Sequence, residues 1–236
     1  MKQTIILLHG LLGNLSNWKS VYDRFQNQFE IHIPVLPIFD ENKENDLDYL
    51  VNFLDIYIKN KKLTNLTLIG NSLGGHVAVL YLNKFPQNVV NLVLTGSSGL
   101  YENNMLGSFP RRHDYEYIKH RVEYTFYNDE IASKELVDEV FDVVSDNRKC
   151  FQIIKTAKTT QRNYVTKELK EIQIPALLIW GEDDKITPPK VAEEFKELLP
   201  NAELYYINQC GHAPMMEKPL EFNNILESFF KKQKLL

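Results

Sequence analysis

The sequence predicts an α/β fold, a mostly parallel sheet flanked by helices with a helical cap inserted into it. Three observations predict this. Short apolar runs alternate with longer amphipathic stretches, the glycine-rich turns follow the apolar runs, and the alternation breaks once, between about residues 100 and 170. Strands that alternate with helices form parallel sheets covered on both faces. Right-handed crossovers then bring the C-terminal ends of all strands to one rim.

Residues 4–8 are strand formers that end at His9-Gly10, and residues 30–35 form a second run, punctuated by Pro34 and Pro37. Residues 46–61 have helical spacing, with Leu47, Leu50, Val51, Leu54 and Ile58 on one stripe. Strands are predicted over 66–69, 89–95, 174–180 and 203–207. Helices are predicted over 73–85, 188–199 and 219–232, the second with proline at its start. In the interrupted stretch, residues 114–124, 133–144 and 147–157 read as helices. The expected division is a core of residues 1–99 and 171–236, with a helical cap of residues 100–170 above the rim.

The chain has 236 residues, 44% of them hydrophobic, enough for one sizeable core. A formal charge of −4 argues against nucleic acid as the main partner. The two cysteines, Cys150 and Cys210, form no C-x-x-C spacing, so neither a metal site nor a redox pair is expected, and both read as reduced thiols. The apolar runs are too short to span a bilayer, and residues 5–8 read as a buried strand rather than a leader. A cytoplasmic protein is the expectation. The oligomeric state is not readable.

Four segments carry chemistry. Gly70-Asn71-Ser72-Leu73-Gly74-Gly75 fits G-x-S-x-G between a predicted strand and a predicted helix. Such a turn stands a serine hydroxyl clear of the backbone, and the helix behind it points N–H groups toward developing negative charge. Ser72 is the candidate nucleophile, and the Leu73 N–H is one oxyanion donor. His9-Gly10-Leu11-Leu12-Gly13 follows the first strand and offers a second donor, the Leu11 N–H, with Leu12 the next choice. His9 itself reads as a structural histidine that holds this loop. Trp180-Gly181-Glu182-Asp183-Asp184 brings three carboxylates to the same rim, any of which fits an imidazole-orienting role on chemistry alone. Gly211-His212-Ala213-Pro214 sets a histidine on a late rim loop, the best-placed base of the six histidines.

With these segments and Glu217-Lys218-Pro219, the chain resembles the α/β-hydrolase superfamily, in the branch with a helical cap after the sixth strand of the family. The resemblance implies a Ser72–His212–Asp184 triad, because in that branch the acid is the fourth residue after the tryptophan. It implies no cofactor and no metal. Two departures stand out. The chain starts almost on the strand that leads to His9-Gly10, so the sheet is expected to be about two strands smaller. Pro34-Val35-Leu36-Pro37 replaces an aspartate- and glycine-rich turn.

The reaction implied is acyl transfer, with hydrolysis of small or medium carboxylic esters through an acyl-enzyme. The same resemblance extends to carbon–carbon bond hydrolases and to a pyruvate-eliminating lyase. These need cations near Ser72, for which Arg111, Arg112, Lys158 and Arg162 are candidates. A hydrolase-fold receptor without turnover is the third reading. Substrate choice is expected to reside in the cap, with Leu12, Tyr101, Met105, Arg111 and Tyr124 as candidate contacts to a small-molecule ester.

Overall fold

The computed structural model describes residues 3–13, 17–40, 46–103 and 109–236. Six strands, β1 (Thr4–Leu8), β2 (Glu30–His32), β3 (Leu66–Asn71), β4 (Val89–Thr95), β5 (Ala176–Gly181) and β6 (Ala202–Ile207), form one sheet in the order β2-β1-β3-β4-β5-β6. Every neighbouring pair is parallel. Every residue of β1, β3 and β5 is buried. That is why these strands read as unbroken apolar runs rather than alternating ones: helices cover both faces. The outer strands differ. Glu30 in β2 and Tyr205 in β6 are exposed, as suits an edge. β2 also stops at His32, short of the predicted residue 35, because Pro34 has no N–H to give to a ladder.

The strand order fixes where a site can form. The chain enters at β1, moves outward to β2, then crosses back to β3 on the other side of β1. Between β1 and β3 the connections depart to opposite sides, which leaves a crevice beyond the C-terminal strand ends. The loop after β1 holds residues 9–13 and the turn after β3 holds Ser72, so both candidate segments open into this crevice.

In the core, α1 (Lys19–Phe25), α2 (Asp46–Lys61), α3 (Leu73–Lys84), α8 (Pro189–Leu198), α9 (Pro214–Glu217) and α10 (Pro219–Lys232) flank the sheet. Phe230 of α10 sits 5.3 Å from Phe25 of α1 and 4.7 Å from Phe29 between ring centroids, which joins the two ends of the chain through aromatic packing. α3 is the central helix and buries nine of its twelve residues.

Between β4 and β5 lie α4 (Tyr115–Glu123), α5 (Lys134–Ser145), α6 (Asn147–Arg162) and α7 (Thr166–Glu171), with no strand among the described residues. The side chains of Asp114, Ser133 and Asp146 cap α4, α5 and α6 by accepting first-turn N–H groups. α6 continues past the predicted residue 157. The Thr159 and Thr160 hydroxyls donate back to the Lys155 and Ala157 carbonyls, so threonines with little helix preference are accommodated within it. Both cysteines are free and buried. No helix among the described residues is long and apolar enough to cross a membrane.

The Nε2–H of His76, in α3, donates to Asn163 at the end of α6 over 2.9 Å and so ties the inserted helices to the core. Burial pushes the His76 imidazole down to about 4 from the ordinary 6.5, and the Asn163 bond only partly opposes this. The unfolded chain therefore binds a proton that the folded protein refuses between these two values, and stability falls as pH drops through that window. The loss from this residue is of order 3 kcal/mol between pH 7 and 4. Urea unfolding midpoints of the wild type and His76→Phe across this range should show a shallower acid dependence in the variant. Parallel curves would remove His76 as the cause.

Candidate active site

Ser72 joins β3 to α3 with φ 53° and ψ −123°, a conformation that side-chain-bearing residues rarely adopt. Strain of this kind costs about 1–3 kcal/mol and persists only where the surroundings enforce it. Here the Ser72 N–H donates to the Thr95 carbonyl at the end of β4, while the Ser72 carbonyl accepts from Gly75, His76 and Ser98. Gly74 completes the turn. A Cβ there would lie 2.2 Å from the Leu8 carbonyl oxygen, so the start of α3 reaches the end of β1 only as bare backbone.

The loop after β1 is held by His9, as the sequence suggested. Its Nδ1–H donates to the Gly10 carbonyl over 2.8 Å, and its Nε2 accepts the Leu36 N–H over 2.9 Å. One nitrogen gives and the other takes, which only a neutral imidazole does. Burial holds the group below its ordinary pKa, in agreement. The residues that replace the expected aspartate-rich turn therefore serve as the far anchor of this loop.

His212 is buried and bonds through Nδ1 to Asp184 Oδ2 at 2.8 Å. Of the three candidate carboxylates, Glu182 is exposed, Asp183 is half-buried and Asp184 alone reaches the imidazole. The Asp184 carboxylate is well supplied with donors: its Oδ1 accepts the Ile186 and Thr187 N–H groups at 2.8 and 2.9 Å, and Oδ2 accepts the Thr187 hydroxyl at 2.8 Å. A buried carboxylate without such donors would be costly. Thr187 is fixed in turn by Trp180, whose indole N–H donates to its carbonyl.

Asn71, next to Ser72, fastens the histidine loop to the serine turn. Its side-chain amide donates to the Thr95 carbonyl at 2.9 Å and to the His212 carbonyl at 3.0 Å. Glu217 steadies the loop from the other side, accepting from the Gly211 and Asn128 N–H groups.

Ser72, Leu11 and Leu73 line one small cavity with Ser98, Glu102 and Thr160. Its volume is about 20 Å³, room for a water molecule rather than a substrate. Leu11 also lines a second cavity of about 600 Å³, walled by apolar side chains that include Leu12, Trp18, Phe39 and Val140. Sequence reasoning missed Glu102 and Thr160, which lie in irregular and helical segments without a motif. It also missed Ser98, in the turn after β4.

The other substrate candidates lie elsewhere. Tyr101 is exposed and donates to Asn103, and Tyr124 stacks under the Lys185 ammonium. Arg111 pairs with Asp114, covers the Tyr117 ring and borders a separate surface pocket with Arg112 and His113. Tyr101, Arg111 and Tyr124 therefore do not line the Ser72 cavity, and their partners here are Asn103, Asp114 and Lys185. Met105 lies outside the described residues. No group of side chains among the described residues could hold a metal ion.

Gly96, just after β4, packs against the imidazole. It has φ 51°, and a Cβ there would lie 2.8 Å from His212 Nδ1. Gly96→Ala should lose about 1–3 kcal/mol of stability from backbone strain alone. It should also erase the low-field Nδ1–H proton resonance that the bond to Asp184 produces. Proton NMR spectra in which that resonance persists unchanged would contradict this reading of the contact.

The chain is 38% identical to a solved alpha/beta hydrolase enzyme from the metagenome of lagoon sediments at Mar Chica, Morocco. The TM-score is 0.80, with 99% of this chain and 93% of that one covered. It is 26% identical to Lipase 3 of Moraxella sp. (strain TA144), over 96% of this chain and 77% of the lipase. It is 29% identical to a 2-hydroxy-6-oxononadienedioate/2-hydroxy-6-oxononatrienedioate hydrolase of Paraburkholderia phymatum, over 97% of this chain and 87% of that protein. Residues 3–219, from the first strand to the start of the last helix, match the family described as alpha/beta hydrolase fold, and the chain belongs to that family.

Proposed function

We propose that the protein hydrolyses carboxylic esters through an acyl-enzyme on Ser72. The observation that carries this reading is the His212–Asp184 pair, buried and bonded at 2.8 Å and tied through Asn71 to the strained turn that presents Ser72. With Nδ1 engaged by the carboxylate, Nε2 is the nitrogen that takes the Ser72 proton. Ser72 Oγ attacks the ester carbonyl carbon, and the Leu11 and Leu73 N–H groups stabilise the oxyanion. As the tetrahedral intermediate collapses, the bond to the alcohol oxygen breaks and His212 returns the proton to it. Water then attacks the acyl-enzyme, again losing its proton to His212, and the acid leaves with Ser72 restored.

The named relatives include both a lipase and a carbon–carbon bond hydrolase whose substrate is a dioate. The cavity favours the ester reading. Anionic substrates need a cation beside the nucleophile, but Arg111 and Arg112 border another pocket, and Lys158 and Arg162 are exposed. None of the four lines the cavity at Ser72. The apolar chamber that shares Leu11 with this cavity suits an acyl group with a hydrocarbon tail.

A fluorophosphonate probe should label the wild type and not Ser72→Ala; absence of labelling would end this proposal. Asp184→Asn should lower kcat on p-nitrophenyl esters about 10³–10⁴-fold, whereas Asp183→Asn changes it little. The reverse order would move the acid to Asp183. Hydrolysis should quicken from acetate to hexanoate esters. Val140→Trp, which fills the chamber, should slow hexanoate at least tenfold more than acetate, about 1.4 kcal/mol of lost discrimination. An equal effect on both chain lengths would separate the chamber from acyl binding.

A further inference from the structure

Glu102 occupies a position that the ester mechanism leaves unexplained. It follows the turn after β4, shares the small cavity with Ser72 and is half-buried. Its carboxyl is built into place from two elements: Oε2 accepts the Ser98 hydroxyl at 2.9 Å, and Oε1 lies 3.2 Å from the Thr160 hydroxyl of α6. The next residue is pinned to the loop that carries the catalytic acid. Asn103 donates its backbone N–H to the Ile186 carbonyl at 2.7 Å and its side-chain amide to the Lys185 carbonyl. Glu102 is thus held on both flanks.

We propose that the Glu102 carboxyl is a specificity-determining group of this site, disfavouring esters that carry a carboxylate near the scissile bond and favouring those that present a cation or a hydrogen-bond donor to it. This rests on the proposed ester reading and names its substrate class. The argument is electrostatic. Among the described residues, the side chains that wall the cavity with Ser72 include Glu102 and no lysine or arginine, so a substrate carboxylate placed there meets a like group. Two carboxyl groups confined together cannot both ionise without large cost, so one must take up a proton or the substrate must stay out. Burial pushes the Glu102 carboxyl above the usual carboxylate range, while the Ser98 and Thr160 hydroxyls and His212 pull it back. In this water-poor space a single charge is felt strongly. The competing explanation is a strut: Glu102 merely links the turn at Ser98 to α6 at Thr160. A strut has no preference among substrate charges.

The test uses three butyrate esters of para-substituted phenols: 4-butyryloxybenzoate, its neutral methyl ester, and 4-butyryloxyphenyl-trimethylammonium. Comparing kcat/KM between the wild type and Glu102→Gln cancels the intrinsic reactivity of each ester. Glu102→Gln should improve the anionic ester about tenfold relative to the neutral one and weaken the cationic one relative to it. Glu102→Asp, which keeps the charge, should retain the wild-type order. A common factor across all three esters would overturn the proposal and leave Glu102 a strut. Binding of the same esters to Ser72→Ala, with and without Glu102→Gln, reads the preference by calorimetry without turnover. The charge preference should appear there as a ratio of Kd values that Glu102→Gln abolishes. Charge-independent Kd values overturn the Glu102 assignment, whereas a preserved preference with no hydrolysis by the wild type overturns only the ester reading.

Discussion

The close approach of α3 to the end of β1 is the constraint on which the rest of the site depends. At Gly74 there is no space for even one methyl group against the Leu8 carbonyl. Strand, turn and helix can pass so closely only if the connecting residue takes a strained conformation, and that residue is Ser72. The strain is held by the sheet. Thr95 of β4 accepts the Ser72 N–H and also a hydrogen bond from Asn71, so the register of the central strands is transmitted to the serine. A slip of one residue between β3 and β4 would reverse which side chains face the crevice. The apolar sheet core therefore guards against more than unfolding: it keeps the Ser72 backbone in a state the chain would not choose alone.

Asp184 and His212 arrive from the other side of the sheet, on loops that follow β5 and β6. Loops are ordinarily the mobile parts of a fold. These are fixed by consuming their own polar groups. Asp184 takes two N–H groups and a hydroxyl from the residues just after it, the pattern that elsewhere caps a helix, and still has an oxygen facing His212. One carboxylate thus both folds its own turn and bonds to the imidazole. The His212 backbone is shared out in the same way, its N–H going to Thr125 and its carbonyl to Asn71. Thr125 follows α4, so the inserted segment helps to hold His212 in place.

What was legible in the sequence follows from how local the causes are. The strands showed because burial on both faces imposes continuous apolar runs, and the Ser72 turn showed because glycine is the only residue its packing admits. The edges were less legible. β2 ended early at Pro34, and α6 ran on through Lys158, Thr159 and Thr160, where side-chain hydroxyls found carbonyls that no propensity scale anticipates. The least legible features were those made by long-range contact. Glu102 reaches its cavity through Thr160, far along the chain, and no spacing rule links the two. Tyr101, Arg111 and Tyr124 failed as cavity candidates for the converse reason. Aromatic and basic residues in an inserted segment satisfy either a pocket or a solvated face, and here their partners are Asn103, Asp114 and Lys185.

These differences separate two kinds of information in the site. The attacking machinery is specified by close packing and by buried hydrogen bonds, which tolerate few substitutions and leave recurring short motifs. Recognition is specified by what the inserted helices bring over the rim, where many sequences pack equally well. In this protein the two meet at Leu11. Its backbone belongs to the loop held by His9, and the residue lines both the cramped space at Ser72 and the larger apolar chamber under α5. A cavity of about 20 Å³ cannot hold an ester group together with its substituents, so occupancy requires the walls at Ser72 to give way.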